Sequence, residues 1–137
     1  VAARRHQAQP LLERMPASSV ALAVVFVCHG GLLELKCSLL ATSLRNQLDR
    51  SILLVAAVPM GCQRISEQGL ALLASLEVRT VPSRSPFGSA YLIANKIAAI
   101  TAPVGAQRLL FLDSDMLCLK GFRAQELPLA RVAAKPA

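Results

Sequence analysis

Arg108-Leu109-Leu110-Phe111-Leu112-Asp113-Ser114-Asp115-Met116-Leu117 is the stretch whose reading decides how this chain folds. Arg108 to Leu112 reads as a short apolar strand. Two carboxylates follow it at once, two residues apart. In extended backbone, residues i and i+2 point the same way, about 7 Å apart. Asp113 and Asp115 are therefore expected to reach one cation or its waters. Hard oxygen ligands suit Mg²⁺ or Mn²⁺, ions that share their coordination with substrate phosphates. Two like charges so close are costly without a cation to offset them. The alternative is a polar turn carrying two solvated aspartates. The apolar strand ahead and the apolar run Met116 to Leu119 behind argue against it.

Upstream, strands and helices alternate. Val20 to Cys28 is a continuous β-branched and apolar run, read as a buried strand and ended by the turn residues His29-Gly30-Gly31. Leu32 to Leu48 carries leucines at 32, 35, 39, 40, 44 and 48, which predicts an amphipathic helix. Glu34, Ser38 and Arg45 lie largely off that stripe. Ser51 to Val58 predicts a second strand closed by Pro59, and Met60 to Ile65 a loop. Ser66 is the expected N-cap of a helix running to about Leu76, with Glu67 and Gln68 in its first turn. Glu77 to Val81 predicts a third strand, ended by Pro82. A loop rich in Ser, Pro and Gly follows, Ser83 to Ser89, then a helix from Ala90 to Thr101 with Leu92, Ile93, Ile97 and Ile100 at helical spacing. Pro103 and Gly105 break it before the Arg108 strand. Gly121 to Pro128 reads as loop or short helix, and Leu129 to Ala134 as a last strand.

Such alternation implies right-handed crossovers and an α/β fold: a Rossmann-like, mostly parallel sheet flanked by helices. Ligands of these sheets bind beyond the carboxyl ends of the strands, where Asp113 and Asp115 are expected. The domain is expected over residues 20–137. Residues 1–19, basic and broken by Pro10 and Pro16, are read as a loose leader with one helical turn at Leu11 to Met15.

Composition fits this picture. A chain of 137 residues makes one domain and buries roughly two-thirds of its unfolded surface. Hydrophobic residues are 54% of it and aromatic residues 4%, so the core is built from Ala, Val, Leu and Ile, as suits strands covered on both faces. The formal charge is +7, from 15 Lys and Arg against 8 Asp and Glu, which favours anionic partners. The alternative is a solvated basic surface. The basic residues are scattered, with no interleaved aromatics, so no nucleic-acid partner is expected. Cys28, Cys37, Cys62 and Cys118 form no CxxC pair, which argues against zinc. Cys28 and Cys118 read as small core residues. A reducing, cytoplasmic setting is the simplest fit. The longest apolar stretch, Val20 to Cys28, is too short to span a bilayer, so no transmembrane segment is expected.

Phe111-Leu112-Asp113-Ser114-Asp115 resembles the DxD motif of GT-A glycosyltransferases. Asn95-Lys96-Ile97-Ala98-Ala99-Ile100, followed by a short loop and the DxD strand, is similar to the helix that precedes DxD in glycogenin-like and related nucleotide-diphospho-sugar transferases. The strand Val20 to Cys28 and the helix containing Ser43-Leu44-Arg45 fit the donor-binding half of such an enzyme. The resemblance covers residues 20–137. It implies a metal-assisted transfer of sugar from a nucleotide-diphosphate donor, with uridine diphosphate the common nucleotide, to an acceptor that the chain does not identify. It implies Mn²⁺ or Mg²⁺ as cofactor. Asp113 would contact the donor ribose and approach the metal; Asp115 would ligate the metal bridging the diphosphate. Ser114 lies between them in the donor loop. Lys96 would stand near the diphosphate as a point charge, with Asn95 orienting the same loop. His29, Gly30 and Gly31 would lie against the nucleotide base. For each of these there is a plainer alternative: a solvated helix lysine, a turn histidine, a structural asparagine. Tyr91, the only tyrosine, reads as core.

The chain also departs from the pattern. Metal-dependent GT-A enzymes usually supply another ligand, often His or Asp, well after DxD, and residues 116–137 contain no His or Asp. The donor-binding half is therefore expected to be incomplete at its C-terminus. Two other readings stay open. One is a non-catalytic fragment or degenerate paralogue that keeps only the fold. The other is a haloacid-dehalogenase-type phosphatase, whose D-x-D-x-T motif is similar here, except that Leu117 stands in the threonine position and the motif follows the fourth strand rather than the first.

Overall fold

The computed structural model describes residues 20–85 and 93–128. The leader expected over 1–19, the first turn of the helix expected from Ala90, and the strand expected at Leu129 to Ala134 lie outside the described residues.

Four strands and three helices alternate along the chain: β1 (Val20–Val27), α1 (Leu32–Gln47), β2 (Leu53–Pro59), α2 (Glu67–Ser75), β3 (Val78–Ser83), α3 (Ala94–Ile100) and β4 (Ala106–Phe111). One turn of 3₁₀ helix, Ala124–Glu126, follows. The strands form one sheet in the order β3-β2-β1-β4, parallel at every pairing. The Rossmann-like α/β architecture expected from the alternation is therefore what the chain adopts.

β1 lies inside the sheet and is buried on both faces, which is why its sequence is an unbroken apolar run. Leu22, Val24, Phe26 and Cys28 point to one side and pack with Cys37, Leu40, Leu44 and Leu73 of α1 and α2. Ala23, Val25 and Val27 point to the other, where Ala99 of α3 joins them. The result is three layers, with α1 and α2 on one face and α3 on the other.

The two outer layers differ from expectation in the same way. On α1 the buried positions are Cys37, Leu40, Ala41 and Leu44, with Leu48 just beyond. Leu32, Leu35 and Leu39 are exposed, Leu32 by 72%. At about 100° per residue these three fall roughly 140° around the helix from Leu40, Leu44 and Leu48, so the leucines form two stripes and only one meets the sheet. On α3 the residues facing the sheet are Ala94, Asn95, Ala98 and Ala99, whereas Ile93, Ile97 and Ile100 are exposed. Alanine lets the helix lie close on the strands; the isoleucines would hold it away.

Element ends follow backbone chemistry. Glu77, expected in β3, instead takes φ 55°, the left-handed turn that leads out of α2. β3 then runs through Pro82 to Ser83, with Pro82 opposite Val58. Proline fits because β3 is an edge strand and one side of it needs no donor. Gly105, at φ 70°, makes the turn from α3 into β4.

α1 also fixes α2 at both ends. Ser66 caps α2, its hydroxyl accepting from the Gly69 N–H at 3.0 Å. The Glu34 carboxylate accepts from the Ser66 N–H at 2.9 Å and from the Ser66 hydroxyl. These bonds hold the Glu34 carboxyl below its ordinary value, the side-chain bond first and the backbone bond second. Eleven residues along α1, the Arg45 guanidinium donates to the Leu76 carbonyl at 2.8 Å and the Glu77 carbonyl at 3.3 Å. A carboxylate thus meets the positive end of α2 and a guanidinium its negative end, matching the helix dipole.

Candidate functional site

β1 and β4 are neighbours, and their carboxyl ends lie together at the Val25–Phe111 pairing. α1 leaves β1 on one face of the sheet, while α3 approaches β4 from the other. Between them opens a cleft of about 280 Å³. Its polar lining comes from His29, Lys36, Asn95, Lys96, Asp113, Ser114 and Asp115, over an apolar base that includes Val27 and Phe111. This is the place where ligands of parallel sheets bind.

The Asp-Ser-Asp segment is not the extended strand end that its spacing suggests. The Leu112 N–H donates to the Val25 carbonyl at 3.0 Å, and beyond it the Met116 N–H donates to the Asp113 carbonyl at 3.1 Å. Residues 113–116 therefore form a tight turn. The two carboxylates thus leave from a turn and not from one side of a strand, yet both line the same cleft. Asp113 Oδ1 pairs with Lys96 Nζ at 2.5 Å, both side chains part-exposed. The Asp115 carboxylate is exposed and makes no hydrogen bond or ion pair among the described residues. Ser114 is 8% exposed and its hydroxyl donates to the Val27 carbonyl at 2.5 Å.

The other expected residues sort by where their polar atoms go. Lys96 lies at the cleft on α3, as its place before β4 suggested. Asn95 also lines the cleft, but it is buried, and its side-chain amide meets Cys62 Sγ at 3.8 Å. His29 lines the cleft with its ring Nδ1 2.9 Å from the Gly30 carbonyl. Gly30 holds the loop after β2 in place: its N–H donates to the Gln63 carbonyl at 2.7 Å. A side chain there would meet the Arg64 carbonyl oxygen at 2.1 Å, so only glycine fits. Tyr91 lies outside the described residues.

Lys36 was not singled out by sequence reasoning, although it lines the cleft. Its signal was position: it stands in the second turn of the helix that follows β1, at the carboxyl edge of the sheet. It makes no ion pair among the described residues. Two lysines and two aspartates therefore share the cleft, with one pair already joined.

The cysteines are all free. Cys28 and Cys37 are buried; the adjacent Cys37 thiol, then burial, pushes the Cys28 thiol up, so it stays protonated. Cys118, expected in the core, is only part-buried; its N–H donates to the Ser43 hydroxyl at 2.9 Å. Among the described residues no group of three His, Cys, Asp or Glu side chains comes together. No helix among them is long and apolar enough to cross a membrane.

A parallel sheet with an acidic turn at the carboxyl end of β4, facing a lysine-bearing helix, is the arrangement expected of a glycosyltransferase. Residues 24–137 match the Rhodobacterales glycosyltransferase domain, and the chain belongs to that family. Its role is therefore glycosyl transfer. No curated protein matches the chain.

Proposed function

We propose that the cleft between β1 and β4 binds the diphosphate of a nucleotide-sugar donor, in the manner of GT-A enzymes. The observation that carries this reading is the convergence of Asp113, Asp115, Lys36 and Lys96 on one cleft at the carboxyl edge of a parallel sheet. The donor set fits a hard divalent cation: two carboxylates, with the remaining coordination positions left to phosphate oxygens and water. Asp115, with no hydrogen bond or ion pair among the described residues, is the first candidate ligand; Asp113 would approach the same ion and the donor ribose. Mn²⁺ or Mg²⁺, when bound, supplies positive charge where the leaving diphosphate gains negative charge.

The chain's own groups do the rest. As the bond from the sugar's anomeric carbon to the diphosphate oxygen breaks, negative charge grows on that oxygen. Lys36 lines the cleft, with no ion pair among the described residues, and is able to meet it. Lys96 is tied to Asp113 and holds that carboxylate in place. His29, which lines the cleft, would lie against the nucleoside, and uridine is the base first tested; Gly30, its N–H committed to the Gln63 carbonyl, is not among the lining residues.

Calorimetric titration of uridine and guanosine diphosphates, with Mn²⁺ and then with EDTA, tests this reading. Metal-dependent binding is expected, and Asp115→Ala should weaken it by at least about tenfold, the equivalent of one lost charge-assisted contact. Binding that is identical in Asp115→Ala would sink the assignment.

A further inference from the structure

The last turn of the β1–β4 ladder is completed by a side chain, and this assigns a role to the residue between the two aspartates. In a parallel ladder the acceptors along one strand recur every second residue. β4 follows this rule as far as Leu112, whose N–H donates to the Val25 carbonyl at 3.0 Å. The next acceptor on β1 is the Val27 carbonyl, and its donor in a continued ladder would be the N–H of residue 114. The chain has already turned there. The Ser114 hydroxyl reaches the Val27 carbonyl instead, at 2.5 Å, and Cys37 Sγ donates to the same oxygen at 3.0 Å.

A second tie holds the far end of the segment. The Cys118 N–H donates to the Ser43 hydroxyl at 2.9 Å, and that hydroxyl is itself oriented by donating to the Leu40 carbonyl at 2.8 Å. Residues 113–118 are therefore anchored to β1 and α1, not to a strand pairing of their own. Asp113 and Asp115 flank the first anchor directly.

We infer that Ser114 is a positioning residue for the two carboxylates: its hydroxyl replaces the missing ladder bond and fixes the turn that presents Asp113 and Asp115 to the cleft, with Ser43 as the second anchor. Ser114 lines the cleft but is largely buried, and its hydroxyl is already committed to the Val27 carbonyl, so its contribution to binding passes through its neighbours. The role rests on the donor-site reading above and deepens it. It also accounts for the residue type. The position needs a hydroxyl on the β-carbon, which reaches the Val27 carbonyl from a turn directly above the strand end.

The test uses the full chain and three variants: Ser114→Ala, Ser114→Thr and Ser43→Ala. Two quantities are read, amide hydrogen exchange over residues 114–118 and the Kd for uridine diphosphate with Mn²⁺ and with EDTA. Ser114→Ala is expected to speed exchange across the segment and to weaken Mn²⁺-dependent binding about five- to tenfold, the loss of one buried hydrogen bond. Binding in EDTA should not change, and Ser114→Thr should restore both readouts. Ser43→Ala should show the same pattern more weakly. Weakening of equal size with and without Mn²⁺ would mean general loosening and overturn the positioning role. So would faster exchange with no change in affinity. A wild-type chain that binds no nucleotide diphosphate under either condition removes the donor reading instead. The anchoring then stands or falls on whether Ser114→Ala, but not Ser114→Thr, releases the 114–118 amides.

Discussion

The two faces of the sheet are built on different principles. On the α1/α2 face, large side chains fill the space: Phe26, Leu22, Leu40, Leu44 and Leu73 are all fully buried there. Two helices share the load, and Glu34 and Arg45 lock them end to end. On the α3 face the contacts are made by Ala23, Val25, Val55, Ala57 and Ala99, and one short helix covers them. The first face supplies burial. The second supplies proximity, because alanine-on-valine packing brings the α3 backbone near the strands and sets Asn95 and Lys96 at the mouth of the cleft. Stability is thus concentrated on the side away from α3, and site geometry depends on both.

This contrast can be broken from either side. The largest effect is expected from Phe26→Ala, which empties the centre of the heavily packed face. A loss of about 3–5 kcal/mol is the usual range for such a truncation. Urea unfolding measures it, and a loss below about 1 kcal/mol would show that the face does not carry the stability assigned to it. Next comes Ala98→Leu. The added bulk should lift α3 from the sheet at a cost of about 1–3 kcal/mol. Because Lys96 moves with α3, affinity for the nucleotide diphosphate should fall as well. Stability lost with affinity intact would separate α3 from the cleft.

The smallest effect sharpens the lock between α1 and α2. The Glu34 carboxyl is held below its ordinary value of 4.5 by its bonds to Ser66. Its stabilising contribution is therefore present above that pH and is lost as pH falls through the lower, folded-state value. Glu34→Gln should leave a melting temperature that changes less between pH 5 and the acid limit than that of the wild type. Parallel pH profiles for the two proteins would remove Glu34 from the lock. The group is exposed, so the difference will be small and sensitive to salt.

Much of this was legible in the sequence. The apolar runs of β1 and β2, the Ser66 cap and the order of elements follow from burial and capping chemistry that leaves local marks. The carboxylates were placed correctly at a strand end, since strand and ligand edge are linked by topology. What was missed has a physical cause in each instance. The leucines of α1 and isoleucines of α3 mark apolar stripes, but periodicity does not say which stripe meets the sheet. On α3 the alanines do, because close approach favours small residues over greasy ones. The turn at Asp113 to Met116 depends on a bond from Ser114 to Val27, a partner that no local pattern reveals. Lys36 was overlooked because a helix lysine carries no mark until the fold sets it beside the acids.

The strand order has a consequence in time. Ser114 and Val27 are 87 residues apart along the chain, yet their bond seals the turn that carries both carboxylates. β1, α1, β2, α2 and β3 each meet a neighbour made shortly before or after them; β4 must return past β2 and β3 to pair with β1. On the ribosome, the α1/α2 face can assemble while the cleft still lacks one wall. Closing so long a loop is a slow step, paid in chain entropy before any contact rewards it. The cleft between β1 and β4 thus closes only after β4 is made, and a nascent chain can pack α1 and α2 on the sheet before Asp113 and Asp115 are in place.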